Sequence, residues 1–252
     1  MKLAVAGKGG SGKTTIAGIL ARVIARRGVD VLAIDADLNP NLASILGLGP
    51  DASQVRQLPL HVVKRQERGS AARLELTTPA EELVLDYGVD CPDKVRLVCM
   101  AEPHQAATGC MCSSHEAIRV LLRDLSAEGR LIIADMEASP EHLTRATPEA
   151  ADVLLAVAEP YFRSLEATRR QAWLARDLGI ARIAVVANKV RDSWDADAIA
   201  AFCDRHELEL LGSVPYDGTL GEADRVNVSP VDHDAQAAAV VAVSHLADRL
   251  LG

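Results

Sequence analysis

The first fifteen residues constrain this chain more than any other stretch. Leu3 to Ala6 is a short apolar run that reads as a buried strand, and it passes directly into Gly7-Lys8-Gly9-Gly10-Ser11-Gly12-Lys13-Thr14-Thr15. Beyond the loop, Ile16, Ile19, Leu20, Val23 and Ile24 recur at three- and four-residue intervals, which predicts a helix over 14–27. A strand, a GxxxxGK[ST] loop and a helix in that order form a phosphate-binding P-loop. Glycines at 7, 9, 10 and 12 let the backbone turn its N–H groups toward one centre at a helix N-terminus, where phosphate oxygens can sit. Gly9, Gly10, Ser11, Gly12, Lys13, Thr14 and Thr15 are therefore the expected nucleotide contacts. Lys13 is placed to neutralise the β- and γ-phosphates, and the Thr14 hydroxyl to hold Mg2+.

The rest of the chain supplies a sheet to carry that loop. Apolar runs at 29–34, 95–100, 130–134, 153–157, 183–187 and 208–214 read as further strands, with helical stretches between them at 116–125, 164–178, 195–205 and 234–250. Alternation of this kind predicts one α/β domain with a mainly parallel central sheet and helices on both faces. Residues 50–94 are less regular, with a small hairpin expected from 61–64 and 73–76 and a short helix over 79–85. At 252 residues the chain suits a single domain with a full core. With aromatics at only 3%, that core must be built from Ala, Val, Leu and Ile. A net charge of -8 gives no general attraction to nucleic acid or anionic membrane, so neither partner is expected. No apolar run approaches the ~20 residues of a membrane span and no signal peptide is visible, which predicts a soluble cytoplasmic protein.

The chemistry-bearing residues fall at strand ends, where open α/β sheets bind ligands. Asp35 and Asp37 close the second strand, and a carboxylate just past that end can orient a water for attack on a γ-phosphate. A plain turn of Asp, Asn and Pro is the alternative. Asp135 ends the run Leu131-Ile132-Ile133-Ala134, the pattern of a carboxylate that holds a Mg2+-bound water. Asn188 follows the strand at 183–187 with an amide able to donate and accept at an adenine edge, and Pro215 and Tyr216 follow the strand at 208–214. Five cysteines in a cytosolic setting argue against a disulfide framework. Cys110-Met111-Cys112, expected in a turn before a helix capped by Ser113 or Ser114, can turn two thiolates toward one metal, or be two half-buried cysteines. Two thiolates do not complete a tetrahedral site, whereas a two-fold dimer offers four. His104, His115 and Glu116 are candidate extra ligands that read individually as surface polar residues, and Cys91, Cys99 and Cys203 lack spaced partners, with Cys99 expected in the core.

Lys8, directly after the first glycine, resembles the second lysine of the deviant Walker A loops of the MinD, ParA, ArsA and nitrogenase iron protein class. In that class the resemblance implies a homodimer in which Lys8 crosses to the partner's nucleotide as a catalytic cation. It assigns water orientation to Asp37, Mg2+ to Thr14, Asp37 and Asp135, and base recognition to Asn188 with Pro215 and Tyr216. Asn41 and Glu137 belong to switch segments at 37–42 and 135–142. The continuation Asp135-Met136-Glu137-Ala138, with Glu141-His142 beyond it, is similar to one subfamily, the CooC-type ATPases of carbon monoxide dehydrogenase maturation. Ser139 departs from the glycine expected there. This resemblance implies ATP hydrolysis to ADP and phosphate, nickel or zinc at Cys110 and Cys112 between two subunits, and a nickel-containing carbon monoxide dehydrogenase as client. A MinD- or ParA-like switch for another partner, and an electron-transfer ATPase with a bridging cluster, are the other readings. The closing helix holds only Arg249 as a clear cation, which fits a membrane-organising role poorly.

Overall fold

A computed structural model describes residues 1–68, 71–100 and 111–252. In chain order these form β1 (Lys2–Gly7), α1 (Lys13–Ala25), β2 (Asp30–Ala36), α2 (Leu42–Leu46), β3 (Val63–Arg68), β4 (Ala71–Leu76), α3 (Ala80–Tyr87), β5 (Val89–Asp90), β6 (Arg96–Cys99) and α4 (Met111–Asp124). They continue as β7 (Arg130–Met136), α5 (Glu141–Thr144), β8 (Val153–Ala158), α6 (Phe162–Asp177), β9 (Arg182–Val190), α7 (Ser193–Arg205), β10 (Glu209–Pro215), α8 (Gly218–Arg225), α9 (Pro230–His233) and α10 (Ala238–Leu251).

The central sheet has eight strands in the order β10-β9-β8-β1-β7-β2-β6-β5, parallel except for the short antiparallel β5 at one edge. β1 lies in the middle, with Leu3 opposite Ile133 of β7 and Val153 of β8. Side chains alternate across a strand, and β1 shows the result. Leu3 and Val5 join the core cluster that includes Ile16, Ile19 and Leu20 of α1 and Val240, Val243 and Leu246 of α10. Ala4 and Ala6 join the cluster on the other face with Ile118, Leu121 and Leu122 of α4. The five periodic residues of α1 are all buried, each worth about 1.5–3 kcal/mol. Most aromatics stay outside this aliphatic core: Phe162, Trp173 and Trp194 are exposed, while Tyr87 and Phe202 pack against its edge half-buried.

At the end of α1 far from the P-loop, the buried Arg22 clamps three later segments. Its guanidinium donates to Asp93 at 2.5 Å, to Asp232 at 2.8 and 2.9 Å and to the Leu46 carbonyl at 2.8 Å. Arg26 bridges the same two carboxylates from the surface.

Several local expectations are corrected. The expected turn at 109–112 is not one throughout, because α4 already begins at Met111. Ser113 and Ser114 therefore lie inside the helix rather than capping it. The closing helix starts at Ala238, after the separate turn α9, and α8 was not anticipated. The hairpin is present, with Val63 opposite Leu76.

Candidate functional site

β1 delivers the loop to the carboxyl end of the sheet, and α1 starts directly behind it. Ser11 N–H donates to the Lys8 carbonyl at 2.9 Å and closes the loop. Gly12, the N-cap of α1, has φ 90°, a left-handed conformation in which any side chain is strained. A Cβ there would also overlap the Asn188 amide nitrogen. That amide donates to the Ser11 carbonyl at 2.7 Å, so Asn188 braces the loop from β9 with one N–H and keeps its second N–H and its oxygen for another partner.

Three carboxylates gather around Lys13. Its ammonium lies 3.0 Å from Asp37 and 3.8 Å from Asp135, and it donates to the Thr14 hydroxyl at 3.3 Å. Burial alone would lower the Lys13 pKa, but Asp135, Asp37 and Asp35 outweigh it and hold the ammonium above its usual range. Asp35 and Asp135 sit directly opposite each other on β2 and β7. Burial pushes Asp35 up to about 6, against the Leu42 and Asp37 N–H groups that it accepts at 2.9 and 3.2 Å. Asp35 thus holds the turn that aims Asp37, whose own Oδ1 accepts from Asn39 N–H at 3.0 Å. Burial pushes Asp135 up to about 7 against the pull of Lys13, 3.8 Å away, and of the nearby Thr14 hydroxyl, and neither of its oxygens has a donor at close hydrogen-bond distance among the described residues. A buried carboxylate left without close donors beside a threonine hydroxyl is a donor set that suits Mg2+, a hard cation that takes oxygen ligands and keeps its waters.

A cavity of about 750 Å³ runs from Gly10, Lys13 and Thr14 past Asn41 and Asn188 to Pro215 and Tyr216. That size is in the range of small-ligand sites. Asp217 shapes its far wall by capping α8 through Thr219 N–H at 2.9 Å and accepting Ala239 N–H of α10 at 3.1 Å. The sequence-read residues of the loop, the strand ends and the base side are therefore brought to one place. Gly9 and Lys8 stand at its rim: Lys8 points over the Tyr161 ring at 5.9 Å and has no carboxylate partner among the described residues. Three residues given no role in the sequence reading form a chain that ends on the loop through Lys189. Lys189 donates to the Gly10 carbonyl at 2.5 Å and to Glu159 at 2.9 Å, while the Tyr161 hydroxyl donates to Glu159. Separations of up to 179 residues leave no local signal for these contacts.

Beyond Asp135, Glu137 accepts from His115 of α4 at 3.1 Å, so His115 is buried and paired rather than a surface residue. Ser139 replaces the expected glycine with a hydroxyl that accepts Glu141 N–H at 2.9 Å ahead of α5. His142 is fully buried, and burial pushes it down to about 4. Cys110 and His104 lie outside the described residues, and Cys112 falls in the first turn of α4, where only the backbone is described. Glu116 is half-buried. Cys91, Cys99 and Cys203 are buried free thiols that burial keeps protonated, with Cys99 in the core as expected. No helix among the described residues is long and apolar enough to cross a membrane.

Residues 2–231 match the model of the CobQ/CobB/MinD/ParA nucleotide binding domain. The chain is 39% identical over 241 residues to the carbon monoxide dehydrogenase accessory protein CooC of Rhodospirillum rubrum, covering 92% of this chain and 90% of that one. It is 33% identical over 244 residues to an uncharacterised ATP-binding protein of Methanocaldococcus jannaschii, covering 94% and 93%. Among solved structures, MinD of Pyrococcus horikoshii with Mg-ADP superposes with a TM-score of 0.74 at 20% identity, covering 99% of this chain and 96% of that one. MinD of Aquifex aeolicus gives 0.70 at 24% identity, covering 100% and 97%. The chain thus belongs to the CobQ/CobB/MinD/ParA nucleotide-binding family, as a CooC-type P-loop ATPase of its MinD/ParA class.

Proposed function

We propose that this ATPase is a nucleotide-driven metallochaperone that binds nickel through Cys110 and Cys112 at a two-fold interface and assists its insertion into a carbon monoxide dehydrogenase. The observation that carries the reading is the 39% identity, across nearly the full length of both chains, to a protein named for carbon monoxide dehydrogenase. ATP enters the cavity with its phosphates on Gly9 to Thr15 and its base between Asn188 and the Pro215–Tyr216 wall. Thr14, Asp37 and Asp135 would hold Mg2+, which would supply charge neutralisation on the phosphates. The γ-phosphate competes with Asp37 for Lys13. Released from that ion pair, Asp37 orients the attacking water. Lys8, with no carboxylate partner among the described residues, reaches the nucleotide of the second subunit, where a cation is worth most in a closed, dry site. Switch segments 37–42 and 135–142, with Asn41 and Glu137, sense the phosphate and alter the dimer.

The test is size by light scattering together with metal content, for wild type and Cys112→Ser, with and without Ni2+ and ATP. About one nickel per two chains, with a dimer that the variant does not form, supports the reading. A size that ignores metal and responds to ATP alone in both proteins replaces it with a MinD-like switch without metal cargo.

A further inference from the structure

α4 and the segment after Asp135 are joined through one buried ring. The His115 side chain is 1% exposed, against 18% for Glu137. An ionised carboxylate only accepts, so the His115 Nε2 that stands 3.1 Å from Glu137 carries the hydrogen. Its Nδ1 faces the Thr147 hydroxyl at 3.5 Å, and Thr147 N–H in turn donates to the His142 carbonyl at 2.9 Å. Both partners of the ring thus belong to the stretch 137–147, which begins two residues beyond the carboxylate nearest Lys13 in β7. Burial holds the His115 pKa below its usual range despite Glu137, so the ring is a neutral donor at neutral pH. On the helix, His115 lies three residues from Cys112, one turn away on the same side.

We propose that His115 is a positioning residue that couples the nucleotide site to the first turn of α4, where Cys112 lies. This inference rests on the reading of Cys110 and Cys112 as a site for a metal cargo. When phosphate draws Lys13 from its carboxylates, the backbone leaving Asp135 shifts and carries Glu137 with it. The His115 side chain is 1% exposed and held at both ring nitrogens by this stretch, so α4 follows. The coupling is reciprocal: whatever nucleotide does to metal affinity, metal does to nucleotide affinity. His115 itself is no ligand, because both ring nitrogens are engaged by 137–147.

The experiment measures Zn2+ affinity of the full chain by competition with a chromophoric chelator, with Mg2+ and either ADP or a non-hydrolysable ATP analogue. In wild type the two affinities are expected to differ by at least about fivefold. In His115→Leu, which keeps the ring's space filled with apolar atoms, the ratio falls to about one, while Zn2+ affinity without nucleotide stays within about threefold of wild type. Glu137→Ala reaches the same hydrogen bond from its accessible side and gives the same collapse, even where His115→Leu does not fold. Glu137→Gln, whose amide oxygen still accepts from Nε2, restores most of the ratio, which a merely structural role does not predict. A ratio that survives in His115→Leu and Glu137→Ala overturns the proposal. So does a His115→Leu protein that loses Zn2+ affinity without nucleotide, since His115 is then a ligand. A wild type whose Zn2+ affinity equals that of Cys112→Ser refutes the cargo reading first, and with it the coupling. A ratio of one in a wild type that does need Cys112 refutes the coupling alone.

Discussion

Asp135→Asn is expected to stabilise the nucleotide-free protein while removing its response to Mg2+ and nucleotide. The carboxylate is fully buried, its oxygens have no donor at close hydrogen-bond distance among the described residues, and burial pushes it from the ordinary 3.8 up to about 7. The folded state therefore holds this proton more tightly than the unfolded chain, and ionisation of Asp135 opposes folding. That penalty is absent below about pH 4, grows as the pH rises toward 7, and is level above it. At about 1.36 kcal/mol per unit it comes to roughly 4 kcal/mol at pH 8 and roughly 2 kcal/mol at pH 5.5. Lys13 keeps Asp37 at 3.0 Å, so the variant strands no buried cation. Burying an amide without partners returns part of the gain, which leaves about 2 kcal/mol net at pH 8. Urea unfolding of both proteins at the two pH values, with and without Mg-ADP, reads it directly. A variant less stable than wild type at pH 8, or a gap that does not narrow at pH 5.5, means that Asp135 is satisfied in the folded state. The orphaned-carboxylate argument for Mg2+ then fails as well.

Arg22→Met is expected to cost about 3 kcal/mol, at the low end for a broken buried pair because Arg26 still bridges Asp93 and Asp232. A thermal midpoint lower by roughly 6–12 °C checks it. Arg22→Lys should rescue little, since one ammonium does not replace the fork that meets three acceptors. Asn188→Ala leaves the buried Ser11 carbonyl without its 2.7 Å donor, and calorimetry should show ADP affinity falling by about tenfold or more. Lys8→Ala should cut phosphate release by about a hundredfold, with ADP affinity within about threefold of wild type. Undiminished turnover in Lys8→Ala rules out the crossing cation.

What was legible in the sequence is what local pattern encodes. Leu3 to Ala6, the glycine loop and the α1 stripe announce themselves by period, and Asp35 and Asp135 by their place at the ends of apolar runs. The start of α4 was misplaced because Ser113 and Ser114 resemble caps, although the helix had begun at Met111. The burial of His115 did have a signal that went unused: with Ile118, Leu122 and Leu125 it continues one stripe at intervals of three and four. The brace from Asn188 to Ser11 and the Lys189–Glu159 pair had none, because they are made only when β8 and β9 line up beside β1. The sequence placed Asn188 at the site and missed that one of its two N–H donors braces the loop.

The central position of β1 bears on how the chain is made. Its pairing partners begin at residues 130 and 153, and Leu3 meets Val153 at a sequence separation of 150. At 5–20 residues per second, β1 waits roughly 8–30 s for its second neighbour. Until β7 is made, Leu-Ala-Val-Ala presents two unpaired edges, and one stays open until β8 follows, the state in which nascent strands are most prone to mispair. A strand that ends buried in the middle of the sheet is thus made long before the neighbours that bury it, and depends on protection at the ribosome in the meantime.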